Sequence, residues 1–217
     1  GFVLKYRYSI RKDTYSLMEK LILSEDEIVR ICDRLGKEID KKLDELNNGI
    51  PVFVAVMNGA LPFFYELIKH IHHKIEIDTI KVSSYDGTGS TGKVTVSKQP
   101  DHNLRGRTVV LVEDIIDTGT TMHYMKEYMK KTYGMKDLLV TILIKRNNIH
   151  MKYDEQADFT GLTTDEQRYI VGFGFDYYGL LRNEPYVYVP STKDIDEMNA
   201  LISDDKALGH SDITKEH

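Results

Sequence analysis

Thiol chemistry is nearly missing from this chain of 217 residues: Cys32 is the one cysteine, so no intrachain disulfide can form and a reducing compartment is expected. Long apolar runs are missing too. None approaches the ~18 residues that a membrane helix needs. The opening GFVLKYRYSIRKD turns polar after Leu4, too early for a secretory leader. A cytoplasmic location with no membrane partner is therefore expected. There is also no excess of positive charge. Lys plus Arg is 29 against 34 Asp plus Glu, a net of −5, whereas a dedicated nucleic-acid binder is usually strongly basic. No nucleic-acid partner is expected, and no internal repeat is visible. What is present is ordinary for a globular protein: 41% hydrophobic and 29% charged residues.

Strand and helix patterns alternate along the chain. Residues 24–47 read as a helix, opened by a Ser24/Glu27 capping box. Ile28, Ile31, Leu35, Ile39, Leu43 and Leu46 recur at spacings of three and four, which makes one apolar stripe. Cys32 lies beside that stripe and reads as core filler. Val52 to Val56 is a short continuous apolar run, as expected of a strand buried on both faces of a parallel sheet. A helix at about 60–71 and a strand at about 75–84 follow. A Gly-rich stretch, DGTGSTG, comes next at 86–92, then alternation at 94–96. A central strand is expected at 108–112, a helix at 120–133 and a strand at 138–144. Shorter strands are expected at 170–172 and 186–189. This order predicts an α/β fold with a mostly parallel sheet flanked by helices. Residues 193–217 hold three Lys against seven Asp or Glu. They read as an acidic tail (191–217) with one short helix around Ile195, Met198 and Leu201, and disorder beyond Asp204.

The segment VVLVEDIIDTGTTM, 109–122, is where chemistry concentrates. A buried strand ends, carboxylates follow, and a Gly/Thr loop leads into a helix. Ligands in open α/β sheets bind beyond the carboxyl ends of strands. Gly119 lets the backbone approach a ligand, and Thr118, Thr120 and Thr121 add hydroxyl donors. The next helix offers free N–H groups and the positive end of its dipole. Together these make a monophosphate cradle. Glu113 and Asp114 are two adjacent acceptors, suited to the two adjacent hydroxyls of a ribose. Asp117 is placed to act as a base near the anomeric carbon. The bland alternative is a solvated acidic loop that only caps a helix; three acids and three threonines around one glycine at a strand end argue against it.

VVLVEDIIDTGTT resembles the phosphoribosyl-pyrophosphate (PRPP) signature of type I phosphoribosyltransferases, and its EDIIDTG core is similar to the hypoxanthine-guanine branch. Further segments from about residue 20 to 190 carry the same resemblance. Met57-Asn58-Gly59 is similar to the loop that receives pyrophosphate, although Asn58 stands where Lys or Arg is common. Ser84-Tyr85 resembles the start of a lid over the reacting centre. Ile144-Lys145-Arg146 ends a strand as the purine-contacting lysine does in that branch. Tyr169 and Ile170, then Phe175-Asp176-Tyr177, then Arg182, resemble the purine hood and its metal-binding Asp. The resemblance implies one phosphoribosyltransferase domain over 1–190, with a small purine-binding hood built from N-terminal residues and about 146–190. It implies transfer of 5-phosphoribosyl from PRPP to N9 of a 6-oxopurine, hypoxanthine or guanine. Mg²⁺ would be held by Glu113, Asp114 and Asp176. Catalysis would rest on Asp117, Glu113 and Asp114. Lys145, Tyr169, Ile170 and Asp176 would contact the purine, and Asn58, Gly59 and Arg182 the pyrophosphate. A homodimer or homotetramer is expected from the same resemblance. Two other readings are a phosphoribosyltransferase for another base, such as xanthine, and a PRPP-binding regulator without catalysis.

Several features are decoys. GTGSTGK at 87–93 begins like a phosphate-binding P-loop, but Val94 stands where Ser or Thr must hold magnesium, and a strand pattern follows. Gly172-Phe173-Gly174 lacks the third glycine of a dinucleotide fingerprint. His70, His72 and His73 read as a complement to a helix dipole rather than a metal site. Met122, Met125 and Met129 read as core.

Overall fold

The computed structural model describes residues 18–84 and 94–210. The expected lid, including Tyr85, and the last residues of the expected tail lie outside the described residues. The described residues divide into two compact units, residues 26–84 with 94–167, and residues 18–25 with 168–210.

The first unit is built on a six-stranded sheet of order β4-β3-β2-β5-β6-β7. Its strands are β2 Val52–Met57, β3 Glu76–Ser84, β4 Val94–Lys98, β5 Thr108–Ile116, β6 Asp137–Arg146 and β7 Phe159–Thr164. Every neighbouring pair is parallel except β3 with β4. Val52, Val54, Val109, Val110 and Leu111 are fully buried. Strands covered on both faces need no polar alternation, which is why they read as continuous apolar runs. Three helices accompany the sheet: α1 Glu25–Leu46, α2 Leu61–Ile68 and α3 Thr120–Tyr133. The stripe of α1 buries Ile28, Leu35, Ile39 and Leu43, and Cys32 lies within it rather than beside it. Burial pushes the Cys32 thiol up to about 12, so it is an inert core residue. Met122, Met125 and Met129 of α3 join the same core as Val54 and Leu111. β7 escaped the sequence reading, because FTGLTT carries one strong apolar residue at each end of a Thr/Gly run.

The second unit is a two-stranded antiparallel ribbon, β1 Met18–Leu23 with β8 Val187–Pro190, carrying helix α4, Thr192–Ala207. The strand expected at 170–172 is reduced to isolated bridges, Val171 to Tyr188 and Gly172 to Phe175. Val171, Leu181, Tyr186, Tyr188 and Met198 form its core.

Four expectations about the hood and the tail are corrected. The hood does not begin near residue 146: β7 pairs with β6 from Thr141 to Arg146, which ties that stretch into the main sheet. The compact unit does not stop at 190, because α4 belongs to it. Residues 204–207 are helical rather than disordered. The buried face of α4 is Asp194, Met198 and Ile202, not Ile195, Met198 and Leu201. Acidity misled here: the helix exposes its carboxylates and buries one narrow face. Among the described residues, no helix is long and apolar enough to cross a membrane. The sequence 87–93 leads into the strand β4 instead of a helix, which removes the P-loop reading.

Candidate active site

The parallel strands β2, β3, β5 and β6 deliver their carboxyl ends to one edge of the main sheet. That edge gathers Asn58 and Gly59 after β2, Ser84 at the end of β3, the 113–121 segment at the end of β5, and Lys145 on β6. The peptide bond from Met57 to Asn58 is cis. A cleft of about 150 Å³ is lined by Glu113 to Met122.

Each group in the cleft is held by local structure. Glu113 is 8% exposed, and its Oε1 accepts from the Asp114 amide at 2.8 Å. Gly119 is the N-cap of α3 at φ 83°, a left-handed conformation that disfavours any residue with a Cβ. A Cβ there would also fall 1.9 Å from the Tyr153 carbonyl oxygen. The turn is braced from outside, since the Lys152 and Tyr153 amides donate to the Thr118 carbonyl at 2.9 and 3.1 Å. The Thr118 and Thr120 hydroxyl oxygens are 3.2 Å apart. Because the cap is glycine, no side chain occupies the first-turn amides of α3, and its first turn carries no acidic residue. An anion therefore meets a dipole end and N–H donors without competition from that turn.

Asp117 is engaged on one oxygen. Arg146 Nε lies 3.2 Å from Asp117 Oδ1, and Asn148 Nδ2 donates to the same oxygen. Neither partner had a role in the sequence reading. Arg146 sits in a motif whose visible feature is the lysine, and Asn148 is in a loop whose fold is set by distant residues. Lys145 pairs with Asp154 at 3.3 Å, and its side chain is only 12% exposed, unlike a free surface lysine. Behind the phosphate loop, His123 stacks on Tyr153 with 3.9 Å between ring centroids. Burial works against the Glu155 carboxylate, but Lys126 and His123 outweigh it and hold its pKa below the ordinary value.

The other expected residues group in the second unit. The Tyr169 hydroxyl donates to the Asp176 carbonyl, and the ring meets Tyr177 edge-on at 6.2 Å. Burial and the Asp176 carboxylate push the Tyr169 phenol up to about 12. Asp176 accepts from the Gly179 amide at 2.7 Å and pairs with Arg182 at 3.3 Å. Arg182 also donates to the Gly174 carbonyl at 2.6 Å. Ile170 is 5% exposed.

The histidines expected at a helix end pair with acids. His73 lies 2.7 Å from Asp40 and His70 3.1 Å from Glu66. Among the described residues, no three His, Cys, Asp or Glu side chains form a metal-binding group. A cation at the cleft would therefore draw ligands from substrate as well as from Glu113 and Asp114. That donor set fits Mg²⁺, which usually takes one or two carboxylates and shares substrate phosphates and water.

A Gly/Thr turn opening a helix at a strand end, with two carboxylates ahead of it and Asp117 beside it, offers the donors and acceptors that a sugar phosphate requires. Residues 20–178 match the phosphoribosyl transferase domain family, and the chain belongs to it. It is 38% identical over 173 residues to a hypoxanthine-guanine phosphoribosyltransferase of Streptococcus pyogenes, covering 79% of this chain and 93% of that protein. It is 37% identical over 172 residues to a hypoxanthine-guanine-xanthine phosphoribosyltransferase of Tritrichomonas foetus, covering 78% of this chain and 90% of the other. A solved hypoxanthine phosphoribosyltransferase from Staphylococcus aureus superposes with a TM-score of 0.75 at 30% identity, over 83% of this chain and 95% of that one. Within the family, the chain falls in the hypoxanthine-guanine phosphoribosyltransferase branch.

Proposed function

We propose that this enzyme transfers the 5-phosphoribosyl group of PRPP to N9 of a 6-oxopurine, hypoxanthine or guanine, giving the nucleoside monophosphate and pyrophosphate in purine salvage. The observation that carries the reading is the cleft at the end of β5, where an uncapped helix N-terminus, Gly119 and three threonines face Glu113 and Asp114. The 5′-phosphate rests on Thr118 to Thr121. Glu113 and Asp114 take the ribose hydroxyls and set a negative field beside C1 as it gains oxocarbenium character. Asp117 accepts the purine N7 proton as general base. Asn58 and Gly59 receive the departing pyrophosphate, with Arg182 as a further contact. Lys145 donates to the purine O6, and Tyr169, Ile170 and Asp176 complete the base site. Ser84 and Tyr85 open the lid.

Mg²⁺, held at Glu113 and Asp114 and with Asp176 as a second position, would neutralise the diphosphate and make it a better leaving group. The chain works as a homodimer or homotetramer in the cytoplasm, without nucleic-acid or membrane partners.

The test is one assay: PRPP and Mg²⁺ with hypoxanthine, guanine, xanthine, adenine and uracil, following nucleotide formation. Turnover with hypoxanthine or guanine is expected. Turnover only with a pyrimidine or adenine, or none with any base, would overturn the reading.

A further inference from the structure

Asp117 is 44% exposed at its side chain, yet it is held from behind by the buried Arg146 and the half-buried Asn148. Arg146 ends β6 and is 6% exposed. Its Nε lies 3.2 Å from Asp117 Oδ1, while its Nη1 donates to the Glu166 carbonyl at 2.6 Å. Asn148 Nδ2 donates to that same Oδ1. The Asn148 amide orientation is set independently, because its Oδ1 accepts from the His150 amide at 2.7 Å. Among the described residues, Asp117 Oδ2 has no such contact.

Resting on the proposed transferase reading, we infer that Arg146 and Asn148 are positioning residues that clamp one oxygen of Asp117 and present the other, Oδ2, to the purine N7 proton.

A carboxylate free to rotate about its last bond offers either oxygen in many orientations. The Asn148 amide donating to Oδ1 and the guanidinium charge 3.2 Å from the same oxygen bias that rotation and leave Oδ2 as the oxygen with unused acceptor capacity. The clamp is tied to the paired ends of β6 and β7. Arg146 is in register with Thr164 of β7, and the Asn147 amide donates to the Thr164 carbonyl at 2.9 Å. Asn147 and Asp165 side chains bond at 2.8 Å, and Gln167 Nε2 donates to the Asn147 carbonyl at 2.9 Å. The asymmetry of burial also fits support rather than stability. A structural ion pair hides both partners, whereas here the guanidinium is hidden and the carboxylate opens into the cleft. A buried guanidinium is costly unless it is paired. Its Nη1 bond to the Glu166 carbonyl fixes the plane of the guanidinium and holds its charged Nε edge 3.2 Å from Asp117, an arrangement a single-point ammonium does not reproduce.

The experiment compares wild type, Arg146→Gln, Arg146→Lys, Asn148→Ala, Asp117→Asn and the double variant Asp117→Asn/Arg146→Gln, with PRPP, Mg²⁺ and hypoxanthine. Misplacing a reacting group by about 1 Å can cost ~10²-fold, so Arg146→Gln should lower kcat by ~10–100-fold. Its KM for PRPP should stay within about threefold, since the phosphate cradle is untouched. Arg146→Lys should recover part of the loss, and Asn148→Ala should lower kcat by ~3–10-fold. In the Asp117→Asn background, Arg146→Gln should cost no more than about twofold further, because there is no base left to position. A purely structural arginine would instead multiply its loss onto that of Asp117→Asn, which would overturn the clamp. So would Asn148→Ala within twofold of wild-type kcat; that surface-loop variant decides the matter if Arg146→Gln does not fold. Wild type that makes no nucleotide from PRPP overturns the transferase reading and the clamp with it. Wild type that turns over normally while the variants behave as it does overturns the clamp alone.

Discussion

At the scale of single residues, the site is decided by which groups have room and which have partners. Gly119 has neither room for a Cβ nor a backbone conformation that tolerates one. Gly119→Ala should therefore displace the phosphate turn and the Tyr153 segment that seals it. The expected result is a loss of ~10²-fold or more in kcat/KM for PRPP and a lower melting temperature, read by steady-state kinetics and thermal denaturation. Near-normal kinetics would mean the phosphate binds elsewhere. Lys145 works differently. An ammonium has three donors and no acceptor, so it suits the O6 of hypoxanthine, guanine or xanthine and opposes the 6-amino group of adenine. Sites built around one such bond can reject a mismatched analogue by ~10⁴–10⁵-fold. Its low exposure and the Asp154 contact at 3.3 Å hold the ammonium at the strand end. Lys145→Ala should raise KM for hypoxanthine and narrow the gap to adenine. Adenine used within tenfold of hypoxanthine by wild type would contradict the assignment.

At the scale of elements, α4 shows how an acidic segment can still be structural. Ser191 accepts from the Asp194 amide at 3.1 Å, which caps the helix. Asp194 Oδ2 accepts from the buried Tyr188 hydroxyl at 2.9 Å. Burial raises both groups: it disfavours the Asp194 carboxylate and the Tyr188 phenolate. The bond therefore satisfies two buried polar groups between strand β8 and α4. Removing one partner leaves the other unsatisfied, which costs about 1–3 kcal/mol. Tyr188→Phe should lower the melting temperature by several degrees. It should also speed hydrogen exchange in α4 more than in α3, by mass spectrometry. Equal exchange in the two helices would show that α4 is not held through this contact. Truncation at residue 191, which the acidic composition alone makes look harmless, would remove Met198 and uncover the core around Tyr188.

At the scale of the whole molecule, resistance to acid has a specific source. Asp78 is 7% exposed on β3. Burial opposes its charge, but the His102 amide and ring and the Thr79 amide overcome that and lower the carboxyl to about 2. His102 Nδ1 is 2.7 Å away and Lys98 Nζ 3.6 Å. In the unfolded chain the group titrates near ~3.9. A carboxyl depressed in the folded state stabilises fully above the unfolded value and loses that contribution as pH falls through the folded one. The contribution is about 2 kcal/mol, present above pH ~4 and fading toward pH ~2. Thermal melts from pH 5 to 2 should show a steeper loss for wild type than for Asp78→Asn, which starts lower. Parallel curves would place the acid sensitivity in other groups.

The sequence by itself determined the main sheet and its working edge. Continuous apolar runs such as 52–56 and 109–112 are strands because two covered faces tolerate nothing else. The Gly/Thr loop after them is legible because glycine at φ 83° and helix-opening threonines have local causes. Tertiary structure decided the rest. β1 and β8 lie far apart in the chain and pair only through long-range register, which no local period announces. β7 is a strand because β6 supplies its hydrogen bonds, not because FTGLTT prefers to be one. The face that α4 buries depends on the ribbon it meets. Above all, the pairing of Asp117 with Arg146 and Asn148 joins the ends of separate strands. Side chains that meet only after two strands are set in register leave no periodic trace in sequence, and the support behind the Asp117 carboxylate is of that kind.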